Sequence, residues 1–373
     1  MDKKTTLIGL HMPGGGGFRR AWRLLVRAGA VGLAAVVGLE LFSFAAISGS
    51  NYLIYGSAFE GSRARYDAHA LFLAKDGRRA TAFNETSGDP ARDRVIWMFG
   101  GSTLRGSTDD DRRTVPSIVS RELNRSATNG LRYTVVNFGV NSFNSLLEIK
   151  YLQKALIEED RAPDMVVFYD GANDCTYYSQ YRTPYGHHGY RRVRALVESY
   201  RNRPLGLLKP LWAAACASFT KELHDKLSSL TDVLAPDDPG LMEYLDLTQK
   251  RYRHVGVVAG AYGADFAVFW QPLQWVETGD VGKEIREAER DYVLDSDRFS
   301  TLKKNIDTVY GGVENRLRGQ SYFIPFRNVL CGRGQAVYRA DGVHLEDAGR
   351  EMVGVAMADA LRDRLDAAHP REP

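Results

Sequence analysis

Residues 95–103 read VIWMFGGST: five apolar residues, two glycines, a serine and a threonine. The apolar run has the length and the β-branched and aromatic content of a strand buried on both faces. The paired glycines let the chain turn sharply as it leaves that strand. They set Ser102 near the start of a helix, where its own N–H can face a developing anion. Taken alone, Ser102 reads more simply as a helix N-cap.

Working outward, the same pattern repeats. Residues 133–138 (YTVVNF), 165–169 (MVVFY), 265–270 (DFAVFW) and 321–324 (SYFI) read as further strands. Apolar residues at helical spacing mark residues 115–123, 144–157 and 346–367, and residues 281–317 read as a charged helical region. Strands alternating with helices predict an α/β fold with a mostly parallel sheet, covered on both faces and joined by right-handed crossovers.

In open parallel sheets, sites form just beyond the carboxyl ends of the strands. The second strand runs into Gly139-Val140-Asn141-Ser142, where Gly139 offers a backbone N–H with no side chain in the way. The third runs into Gly171-Ala172-Asn173-Asp174, where Asn173 offers an amide hydrogen to the same oxyanion. Singly, these are good turn residues. Asp341-Gly342-Val343-His344 precedes the closing helix. A carboxylate three residues ahead of a histidine can hold one ring nitrogen and leave the other to take a serine proton. His11, His69, His187, His188, His224, His254 and His369 lack that setting and read as solvent or packing residues.

Taken in order, Ser102, Gly139, Asn173 and His344 resemble the four blocks of the SGNH/GDSL hydrolase family, over about residues 95–365. The first block, Gly-Gly-Ser-Thr, departs from the Gly-Asp-Ser of many members. It is similar to a bacterial branch associated with envelope or exopolysaccharide production. The resemblance implies a three-layer, flavodoxin-like fold with a parallel sheet of about five strands. It also implies Ser102 as nucleophile, His344 with Asp341 as base, and an oxyanion hole of the Ser102 N–H, the Gly139 N–H and the Asn173 side chain. No cofactor or metal is expected.

Residues 176–260 contain no convincing strand and fall outside the family's common pattern. They read as a lid-like helical insertion, with a kink at Pro204 and Pro210 and a helical stretch over 211–230. Tyr177 and Tyr178, with Trp270 and Gln271, are candidates for a sugar-binding floor, and tyrosines packing a helical lid are the plainer alternative.

The chain has 373 residues, 44% hydrophobic and 25% charged, enough for one substantial core. Its net charge of +3 is unevenly spread. Lys3, Lys4, Arg19, Arg20, Arg23 and Arg27 against Asp2 give residues 1–27 a charge of +5, leaving −2 for the rest. No basic surface excess remains to attract nucleic acid. Residues 28–47 form a hydrophobic run interrupted by a single charge, Glu40, and about 20 residues of helix span a bilayer core. Arginines precede this run, whereas residues 48–60 carry no Lys or Arg, which predicts a cytoplasmic tail (1–27), an anchor (28–48), a membrane-proximal connector (49–93) and an exported domain (94–368). The expected location is the inner membrane, with the catalytic domain extracytoplasmic or periplasmic. A cleaved signal peptide is the rival, given the small residues Ala46 and Ser48. Cys175, Cys216 and Cys331 are too few for a zinc site or a disulfide scaffold, though an exported domain permits one pair.

The function expected is a serine esterase removing O-acetyl groups from a glycan through an acyl-serine. An O-acetyltransferase using the same residues and a non-catalytic glycan-binding or assembly protein are the alternatives, and exopolysaccharide assembly machinery is a candidate partner. A lipase would need a continuous apolar channel, which the tyrosine-rich segment makes less attractive.

Overall fold

The computed structural model describes residues 16–55, 64–127, 130–201, 218–229, 231–289 and 299–368. Strands β1 (Ala64–Asp67) and β2 (Leu71–Ala74) form an antiparallel hairpin. Strands β3 (Asp93–Gly100), β4 (Arg132–Asn137), β5 (Met165–Asp170), β6 (Asp265–Trp270) and β7 (Phe323–Pro325) form a sheet in the order β4-β3-β5-β6-β7. Every pairing in it is parallel. All six residues of β5 are buried, which is why its sequence is apolar without alternation.

The helices are α1 (Gly16–Tyr55), α2 (Ser102–Arg105), α3 (Val115–Arg125), α4 (Ser145–Glu158), α5 (Ala172–Tyr181), α6 (Tyr190–Arg201), α7 (Phe219–Ser229), α8 (Pro239–Ala261), α9 (Lys283–Ala288), α10 (Ser300–Leu317) and α11 (Asp347–Ala368). Strand side chains alternate between two helical layers. Trp97, Phe99, Val166, Phe168, Phe266, Val268 and Trp270 pack with α4, α5, α8 and α10. Ile96, Met98, Met165, Val167, Ala267 and Phe269 pack with α3 and α11. The sequence thus yields the expected three layers. Truncating a fully buried ring such as Phe99 or Phe168 to alanine would cost about 3–5 kcal/mol.

The strand order reverses at β3, so the crevice at a topological switch point opens between the carboxyl ends of β3 and its neighbours. The residues after β3, β4 and β5 converge there.

The segment read as a lid-like insertion divides in two. Helix α8 belongs to the core: Leu241, Tyr244, Leu245, Thr248, Tyr252, Val255 and Ala259 are buried at three- and four-residue spacing. Asp238 caps its start by accepting the Leu241 N–H at 3.0 Å. It packs on β6 and α10 and forms the crossover from β5 to β6, so the insertion expected over 176–260 ends before α8. Pro204, Pro210 and most of the helix expected over 211–230 lie outside the described residues, as does Cys216. Cys175 and Cys331 are free thiols.

The connector is also part of the domain. Ala70 and Leu73 of the hairpin lie in the core. Arg79 ties the following loop to the carbonyls of Gly106 and Thr108, each at 2.5 Å, and to Asp111 at 2.7 Å. Within α1, Arg20–Ser50 is long and apolar enough to cross a membrane, and little of it is buried.

Candidate active site

Gly100 ends β3, Gly101 makes the turn, and Ser102 is the first residue of α2. A Cβ on Gly101 would lie 2.6 Å from Nδ2 of Asn173 and 3.2 Å from the Phe143 carbonyl oxygen. Only glycine allows the turn before Ser102 to approach the other two loops this closely.

From the far end of the chain, 242 residues on, His344 brings Nε2 to 2.7 Å from Ser102 Oγ. Its Nδ1 is held by Asp341 Oδ2. Asp341 Oδ1 also accepts the backbone N–H groups of Val343 (2.9 Å) and His344 (2.8 Å), so the loop and the ring are fixed by one carboxylate. Burial pushes the Asp341 carboxyl up, but the His344 ring and these N–H groups outweigh it and hold the pKa below the usual carboxylate range. The geometry suits a serine whose proton passes to a ring held in one tautomer.

The oxyanion side differs from expectation at one residue. The Gly139 N–H donates to Oδ1 of Asn137 at 2.9 Å and is therefore engaged. What Gly139 supplies is room, because a Cβ there would lie 2.5 Å from the Arg105 nitrogen and 2.8 Å from its Cα. The same loop holds Ser142 at φ +64°, a left-handed conformation unusual for serine. No described residue accepts its N–H. Tyr177 Oη donates to the Ser142 carbonyl at 3.1 Å and steadies the loop. Sequence alone gave no sign of Ser142, since a glycine would have been the marker for positive φ. Asn173 Nδ2 donates to the Phe143 carbonyl at 2.6 Å, which leaves its second amide hydrogen for a ligand.

The expected sugar floor is not brought together. Trp270 is wholly buried beside Tyr310, and Tyr178 is buried in a stack on Tyr244. Both residues carry large apolar surface at core positions. Gln271 is buried too, and its Oε1 accepts the Thr103 hydroxyl at 2.9 Å, bracing α2. Tyr177 holds the loop that carries Ser142. None of the four offers an open aromatic face.

Beneath the Asn173 turn lies a network absent from the sequence reading. Glu148, Asp170 and Asp174 are buried. Asp174 accepts the Ser145 hydroxyl at 2.5 Å, Asp170 accepts the Tyr252 hydroxyl at 2.7 Å, and Arg251 donates to Ser145 Oγ at 2.9 Å. Both oxygens of Glu148 and one of Asp170 have no other donor, and with the two carboxyls side by side a proton held on one can bridge to one oxygen of the other. Burial, then the Asp174 charge, pushes Asp170 up to about 7. Burial, then the Asp170 charge, pushes Glu148 well above the ordinary range.

The cavity at Ser102, lined also by Phe143, Asn173, Gln271 and Val343, holds about 10 Å³, room for one water. A separate open groove of about 840 Å³ is lined by polar and charged residues that follow α2 and flank the His344 loop, among them Asp109, Arg113, Gln335, Arg339 and Glu346.

No family model and no curated protein matches the chain. Among solved structures, it is similar to Est24, a carbohydrate acetylesterase from Sinorhizobium meliloti, at 16% identity and a TM-score of 0.40, covering 73% of this chain and 99% of that one. A lipase/acylhydrolase from Enterococcus faecalis follows at 15% identity and a TM-score of 0.39, covering 73% and 96%. The inhibitor-bound aryl esterase from M. smegmatis matches at 14% identity and a TM-score of 0.38, covering 72% and 99%. Overlap at this level leaves the functional reading to the site's own geometry.

Proposed function

We propose that the protein is a serine esterase that removes small acyl groups, acetyl above all, from a glycan through an acyl-Ser102 intermediate. The observation that carries this reading is the approach of His344 Nε2 to within 2.7 Å of Ser102 Oγ, with Asp341 on the other ring nitrogen. His344 takes the serine proton as Oγ attacks the ester carbon, then returns it to the leaving sugar hydroxyl. Water, deprotonated by the same ring, releases the acid. The Ser102 and Ser142 N–H groups and the Asn173 amide stabilise the tetrahedral oxyanion, and each such donor contributes about 3 kcal/mol to lowering the barrier.

The narrow Ser102 cavity favours a short acyl group over a lipid chain. The polar groove beside the His344 loop suits a hydroxyl-rich polymer. The apolar span of α1, preceded by arginines, anchors the protein in the inner membrane with the catalytic domain outside the cytoplasm.

Full-length protein incubated with an acetylated polysaccharide should release acetate, and Ser102→Ala should lower the rate by roughly 10⁴-fold or more. Acetate appearing on an added acceptor glycan, with none in solution, would assign transfer instead. Neither product from an enzyme that an activated acetate ester fails to acylate would leave only glycan binding.

A further inference from the structure

The apolar run of α1 is broken by one charge, Glu40, and the fold supplies it with donors. Its carboxylate accepts the Phe219 N–H at 2.5 Å, the Thr220 N–H at 3.1 Å and the Thr220 hydroxyl at 2.9 Å. These N–H groups open α7, where they have no acceptor in their own helix and where the dipole favours an anion. Around this clamp, Ser43 Oγ donates to Thr220 Oγ1 at 3.3 Å, and the rings of Phe44 and Phe219 meet edge to face at 5.0 Å. Ser43 and Ile47 are the buried side chains among the described residues of α1. Helix α6 is fastened alongside. The Arg192 guanidinium lies 4.8 Å from the Phe219 ring and pairs with Glu222, and Arg191 pairs with Asp225.

Depth along α1 gives this contact a meaning. At 1.5 Å per residue, a bilayer core of about 30 Å that begins after Arg27 ends near Ile47. Phe44 and Glu40 then lie about 5 and 10 Å inside the outer boundary, the depth at which interfacial helices bury their apolar faces. The two helices have the composition for it. Val193 and Val197, one turn apart on α6, and Leu227 on α7 are exposed apolar side chains. Arg194 and Lys221 are more than half exposed and pair with Glu198 and Asp225 of their own helices.

We propose that α6 and α7 form a membrane-interface element, with the N-terminus of α7 drawn into the outer leaflet by Glu40 and the Val193–Val197 face and Leu227 resting on lipid acyl chains. This rests on the reading of α1 as a membrane anchor. Its consequence is positional. Helix α5, which carries Asn173, leads into α6 through a short loop, so the oxyanion loops are tethered at a fixed height above the bilayer.

Full-length protein in phosphatidylcholine–phosphatidylglycerol vesicles tests it. In a Cys216→Ser, Cys331→Ser background, an environment-sensitive fluorophore is placed on Val197→Cys or Val36→Cys, and quenching by lipids nitroxide-labelled at shallow or deep positions is measured. The Val197→Cys probe should be quenched by shallow labels and the Val36→Cys probe by deep ones. Adding Glu40→Ala should remove most of the quenching at the first and leave the second unchanged. A water-exposed Val197→Cys probe beside a quenched Val36→Cys probe would overturn the interface element and leave the anchor standing. Quenching at neither would overturn both. A Val197→Cys probe shielded from water yet untouched by lipid quenchers would assign the face to a protein partner and also overturn the proposal, as would quenching there that survives Glu40→Ala.

Discussion

A methyl group on Gly139 would lie 2.5 Å from the Arg105 nitrogen, and one on Ser142 would meet no such limit because serine already carries a Cβ there. These two residues therefore respond oppositely to substitution. Gly139→Ala should push α2 and Ser102 out of register, costing about 1–3 kcal/mol of stability and lowering kcat, as thermal unfolding and steady-state kinetics would show. Ser142→Gly should keep activity, because the donor is a backbone N–H and glycine adopts φ +64° more readily than serine. The pairing of Asp341 with His344 was legible because a three-residue spacing is local, whereas Ser102 joined them only through the order of the four blocks along the chain. Which N–H of the 139–142 loop stands free was not, since that depends on Asn137 reaching across to Gly139. Trp270 and Tyr178 stayed open between a sugar floor and packing for a related reason: an aromatic residue looks the same in a sequence whether it lines a groove or fills a core.

Helix α4, strand β5 and helices α5 and α8 meet at the buried carboxylates, and their packing sets a pH dependence. Asp170 has a pKa of about 7 in the fold, against roughly 3.9 in an unfolded chain. Between those values the unfolded chain has released a proton that the fold retains. This contribution to stability is therefore full below about pH 4 and is lost as pH rises towards 7. Glu148, raised in the same direction, extends the loss upward. Glu148→Gln, which stays neutral, should be little changed at pH 4 and more stable than the parent at pH 8 in chemical denaturation. A parent whose stability climbs steadily from pH 4 to pH 8, with no gain from the substitution, would contradict the shared-proton account. At this scale the strands were legible from their apolar runs. Helix α8 was read into the lid, even though its spacing from Leu241 to Ala259 is that of a core helix. The tyrosine-rich chain before it drew the whole region into one reading.

Over the whole molecule, the sheet, its two helical layers and the membrane-length helix follow from the order of elements in the sequence. The place of the connector does not, because its apolar run, Ala70 to Ala74, is short and set in a polar stretch, and nothing local says that the sheet will receive it. A fragment beginning at residue 94 should therefore unfold at a lower temperature than one beginning at residue 64. It lacks those side chains and the Arg79 bonds to the loop after α2. Equal melting temperatures would mean that the hairpin is only a tether. All these parts converge on one atom, Ser102 Oγ, and mass spectrometry after brief exposure to an activated acetate ester tests its role most directly. The account predicts an acetyl group on the peptide containing Ser102, absent in Ser102→Ala and formed far more slowly in His344→Ala. Acetylation at another residue, or turnover that survives Ser102→Ala, would contradict it.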